Sequence, residues 1–71
     1  MNNKATTNRL HQLTSAVTDL NSAIVEVNAA IDGAEGTDKV VLLTNLRGLQ
    51  AQHVRAESAL RTYTMAVECL E

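Results

Sequence analysis

The sequence predicts an all-α fold: an antiparallel two-helix coiled-coil hairpin that dimerises into a four-helix bundle. Two unbroken heptad registers of apolar residues predict the helices, and one glycine-bearing break between them predicts the bend. A constant sum of residue numbers across that bend predicts that the registers face each other. The 71 residues are read as a single hairpin domain, since a second domain would have no core of its own.

The first helix is expected over about 4–32. This stretch lacks proline and glycine, and Leu10, Leu13, Val17, Leu20, Ile24, Val27 and Ile31 recur at alternating spacings of 3 and 4. With Leu10 at heptad position a, they form a continuous seam along one side of a helix, the pattern of a helix packed against another over its whole length.

The loop is expected over about 33–37. Gly33 is expected to take the left-handed conformation that ends a helix, and Thr37 or Asp38 to cap the next one. So short a connection makes antiparallel neighbours the natural outcome.

The second helix is expected over about 38–69. Its seam runs through Leu42, Leu46, Leu49, His53, Ala56, Leu60, Tyr63, Val67 and Leu70 at spacings of 4 and 3. Gly48 lies inside it and costs about 1 kcal/mol relative to alanine. The segment 39–43 is β-branched and apolar enough to suggest a short strand, but an isolated strand would have no mate, so it is read as helical.

In an antiparallel hairpin, facing residues have numbers that add to a constant. Ile31 with Leu42, Val27 with Leu46, Ile24 with Leu49, Leu20 with His53, Val17 with Ala56, Leu13 with Leu60 and Leu10 with Tyr63 all add to 73. Thr6 would then face Val67 and Asn3 would face Leu70, so the apolar seam weakens at the open end, where fraying is expected.

Positions beside the seam suggest how a chain this small gains enough burial. On the g side stand Ala16, Ala23 and Ala30 of the first helix and Ala59 and Ala66 of the second, with Asn45 and Gln52 between them. The e side is polar, with Thr7, Thr14, Asn21 and Asn28 opposite Gln50, Glu57 and Thr64, and Leu43 as the exception. Two-stranded coiled coils usually carry complementary charges at e and g; here alanine permits close approach of another helix pair. The expected oligomer interface is therefore Ala16, Ala23, Ala30, Gln52, Ala59 and Ala66, used twice in a two-fold homodimer. The competing reading is that these alanines reflect helix propensity alone.

Composition bounds the chemistry. Net charge is −2, which offers no global field for a polyphosphate and makes nucleic acid an unlikely partner. No run of about 18 apolar residues is present to span a membrane. The sole cysteine, Cys69, rules out an intramolecular disulfide, and a cytoplasmic setting is expected. His11 stands on the outer face, far from His53 and Cys69, so no metal constellation forms, and neither metal nor cofactor is expected.

No nucleophile, acid or base is placed beside a second polar group in a water-excluding pocket, so the chain is not read as an enzyme. His53 and Tyr63 are the polar members of the core. His53 is read as a histidine satisfied by a backbone carbonyl or a symmetry mate, against the alternative of a ligand-contacting or pH-sensing one. Tyr63 is read as core filler packed on Leu10. Arg47, Arg55 and Arg61 project from the second helix as a candidate anion site, against the plainer reading of a solvated face, and Glu57 is spaced to pair with Arg61. Val40, Val41 and Leu43 gather beside the loop as a candidate partner-binding patch, unless Ala34 and the loop fold over them.

With two helices, a tight acidic loop and dimerisation, the hairpin is similar in outline to the Rop family of plasmid RNA-binding bundles. That resemblance implies RNA recognition by an outer face, yet the exposed phenylalanine and lysine-rich face suited to the task are absent here. The leading expectation is a non-catalytic, self-associating helical adaptor, structural protein or inhibitor that docks onto a larger protein. Its Thr- and Asn-rich, tryptophan-free composition suits a phage-type accessory component. A module holding a small anion or signalling nucleotide between protomers is the alternative, and a Rop-like nucleic-acid binder comes third.

Overall fold

The computed structural model describes residues 4–70 and consists of two helices, α1 (Lys4–Asp32) and α2 (Gly36–Leu70), packed side by side. The molecule is a rod of 55 × 16 × 13 Å. Among the described residues no strand forms, and 39–43 is helical. The pairing of Asn3 with Leu70 lies outside the described residues.

The seam is visible in the pattern of solvent exposure. Every a and d position from Thr6 to Ile31, and from Leu42 to Val67, is half-buried, while nearly all other positions are exposed. Off the seam, only Ser15, Ala23, Ala34 and Thr64 share that partial shielding. Surface hollows set Leu13 beside Tyr63 and Ala59, Val27 beside Leu49 and Asn45, and Ala30 beside Leu42. Those neighbours agree with the mirror order of the two registers to within about one helical turn. At the open end the seam does thin out, and Leu70 is 88% exposed.

The bend is tighter than the sequence suggests. Only residues 33–35 lie between the helices, so α2 begins two residues earlier than the expected position 38. The last turn of α1 closes with Gly33 N–H donating to the Ala30 carbonyl (3.2 Å) and Ala34 N–H to the Ile31 carbonyl (3.1 Å). These i to i−3 bonds satisfy carbonyls that a helix end leaves open. The left-handed residue is Gly36, with φ of 62°, and not Gly33. With the chain reversal completed by Gly36 itself, α2 starts without a side-chain hydrogen bond from Thr37 or Asp38; Asp38 sits in the first turn, where its charge complements the helix dipole.

Candidate functional site

The two sides of the seam differ in kind. On the e side, polar side chains satisfy themselves locally: the hydroxyls of Thr14 and Thr64 each donate to the carbonyl four residues earlier, Leu10 and Leu60, at 2.8 Å. Thr44, on the outer face, does the same to Val40 at 3.0 Å. A threonine folded back in this way covers its own turn and asks for no partner.

On the g side the helices leave hollows. One lies between Arg9 and Leu13 of α1 and Arg55, Ala59, Thr62, Tyr63 and Ala66 of α2. Another is lined by Val27, Asn45, Gly48, Leu49 and Gln52, and a third, beside the loop, by Ala30, Gly33, Ala34, Asp38, Val41 and Leu42. In heptad terms their linings come mainly from g, c and d, with Thr44 and Ser58 at f and Val54 at b, and none comes from an e position. The hollows therefore open on one side of the hairpin, the side of small residues.

Of the expected interface residues, Ala30, Gln52, Ala59 and Ala66 line these hollows. Ala23 is half-buried and Ala16 exposed. Arg9 and Gly48 belong to the same surface. Extending the first register one residue before Leu10 would have placed Arg9 at g, and Gly48 falls at c.

The candidate anion residues do not converge. Arg47, Arg55 and Arg61 are all exposed, and at 1.5 Å per residue they spread over about 21 Å of α2. None forms an ion pair with another described residue. Arg55 shares a hollow with Arg9 instead.

Within the hairpin His53 is not bonded to a backbone carbonyl. Its Nδ1 lies 3.2 Å from Glu57 Oε1, one turn along α2, with the imidazole 21% and the carboxylate side chain 50% exposed. Glu57 is thus engaged with His53 and not with Arg61. Glu57 stands at e, beside the half-buried a position that holds the imidazole, whereas Arg61 is exposed.

Tyr63 is half-buried at its d position and lines the hollow with Arg9. At the loop end Val40 is 62%, Val41 53% and Leu43 40% exposed; Ala34 reaches the hollow beside Val41 but the loop leaves Val40 uncovered. Among the described residues no group of three or more His, Cys, Asp or Glu is placed to hold a metal, and no helix is long and apolar enough to cross a membrane.

Compared with known proteins, the chain matches no family model, no curated protein and no solved structure.

Proposed function

We propose that this chain is a non-catalytic, self-associating helical module, two copies of which join through the alanine side into a four-helix bundle that docks onto a larger protein as an adaptor, structural part or inhibitor. The observation that carries the reading is the unfinished core: not one described residue of the hairpin is buried. The accessible surface is 5479 Å², against about 4,300 Å² for a compact protein of this mass. The excess is larger than the roughly 800 Å² that each partner contributes to a stable interface. Small side chains, hollows and an absence of e-type self-satisfied threonines make the g side the natural place to lose it.

The exposed Val40, Val41 and Leu43 at the loop end support docking of a further protein there. A cytoplasmic setting and a phage-type accessory role belong to the same proposal, supported by the single cysteine and the composition. Arg9 and Arg55 facing one hollow favour a second reading, a small anion or nucleotide held between protomers.

Sedimentation equilibrium tests the main reading. The wild type is expected to reach dimer mass with rising concentration, and Ala23→Glu to remain monomeric, because its carboxylate would be desolvated without a partner. A wild type that stays monomeric at every concentration refutes self-association. A variant that still dimerises removes the alanine side as the interface.

A further inference from the structure

We propose that the second copy seats on the hollowed face with both loops at the same end, α1 of each protomer lying against α2 of the other, so that Asp19 meets the partner's Arg55. This rests on the dimer reading above and adds its geometry and its contacts.

A two-fold contact across this face can be made in two ways that keep neighbouring helices antiparallel. With the axis along the rod, α1 covers the partner's α2 and the loops come together. With the axis across the rod, α1 covers the partner's α1, α2 covers the partner's α2, and the loops point apart.

Charge chooses between them. The rim of the face is formed by the c positions, which in α1 include Gln12, Asp19 and Glu26 and in α2 Gly48, Arg55 and Thr62. In the loops-together arrangement residues at equal height meet. Asp19 then faces the partner's Arg55, Gln12 faces the partner's Thr62, and Glu26 lies level with the partner's Gly48. Symmetry makes each contact twice.

In the other arrangement the middle of the rod, near Thr18 of α1 and His53 of α2, sits on the axis. Asp19 would then approach the partner's Asp19, and Arg55 the partner's Arg55. Like charges at a rim select against a register even where unlike ones add little affinity. Asp19 and Arg55 are both exposed, and neither pairs with another described residue within its own hairpin, so both are available.

The arrangement has a functional consequence. It brings the Val40 and Val41 tips of both copies to one end of the bundle, which gives a docked protein two apolar footholds side by side, and it leaves the Cys69 ends together at the other.

Cys69 is the only cysteine and is exposed, so a spin label there reads the arrangement in the full chain. The two α2 helices stand diagonally across the bundle, about 11–14 Å apart where neighbouring helices lie 8–10 Å apart, which with label linkers gives an expected separation of about 15–30 Å. The opposed arrangement would place the labels about 50 Å apart, the length of α2 at 1.5 Å per residue. A dimer with that long separation overturns the arrangement and leaves the dimer reading standing; a monomeric mass in the same samples overturns both.

Charge reversal gives an independent check. Arg55→Asp and Asp19→Arg are each expected to weaken the dimer about tenfold, and the double variant to return to within about threefold of the wild type. All three are expected to keep their helical circular dichroism, since both positions are exposed. A double variant no better than the single ones refutes the contact.

Discussion

Replacing His53 with leucine should stabilise the protein. The side chain at this a position is only 21% exposed, so a leucine there would lose about four-fifths of its surface to Leu20 and its neighbours, worth about 1.6 kcal/mol. Leucine is also the better helix former, by about 0.4 kcal/mol. Against this stand the packing the imidazole already supplies and its bond to Glu57, which is 50% exposed and contributes no more than about 0.5 kcal/mol. The balance is a gain of about 1 kcal/mol, or a rise in Tm of about 4–8 °C for a domain of this size. Urea unfolding followed by circular dichroism, at one fixed protomer concentration because the proposed association would contribute to stability, checks it. His53→Ala serves as the control and should lose about 1 kcal/mol through the gap left against Leu20. A His53→Leu protein less stable than the wild type would refute the reasoning and assign the imidazole a contact that an apolar side chain cannot replace.

Two further outcomes follow from the bend and the arginines. Gly36→Ala should cost about 1–2 kcal/mol, because φ there is 62° and an L side chain is strained in that region. Gly33→Ala should be neutral or mildly stabilising, since its φ is not positive and an added Cβ would meet nothing within 4 Å; the same urea titrations measure both. Millimolar inorganic phosphate or nucleotide should leave Tm unchanged, because three arginines spread over about 21 Å of helix cannot close on one small anion. A dose-dependent rise in Tm would instead favour the anion-binding reading.

The seam was legible because a heptad pattern carries its own cross-check. Leu10 to Ile31 and Leu42 to Val67 had to satisfy the periodicity of each helix and the mirror order between them, and a wrong register would have failed the second condition. The bend was not legible to the residue, because Gly33 and Gly36 are both able to adopt the left-handed region and the choice depends on how the helix ends meet. Glu57 stood one turn from both His53 and Arg61, and spacing alone does not choose between them. The hollows were half-legible. The alanines lie on the side where the hollows open, but Arg9, Gly48 and Arg55 became part of their linings only once the two helices were set side by side.

Gly48 is where the physics of the lone hairpin and that of the proposed dimer part company. It lies in the interior of α2, where a Cβ would meet nothing within 4 Å, so the hairpin gives no steric reason for glycine. Helix propensity argues against it by about 1 kcal/mol. It lines a hollow with Val27 and Gln52, and in the loops-together dimer it stands level with the partner's Glu26. A missing Cβ there lets the partner's α1 come close to the backbone of α2. Gly48→Ala should therefore act with opposite signs: stabilising the dissociated hairpin by about 1 kcal/mol while loosening the dimer. Its advantage over the wild type in thermal unfolding should be largest in dilute samples, then shrink or reverse as concentration rises. If the advantage is the same at every concentration, no second chain approaches at Gly48, and the glycine is simply a tolerated cost in an exposed stretch of helix.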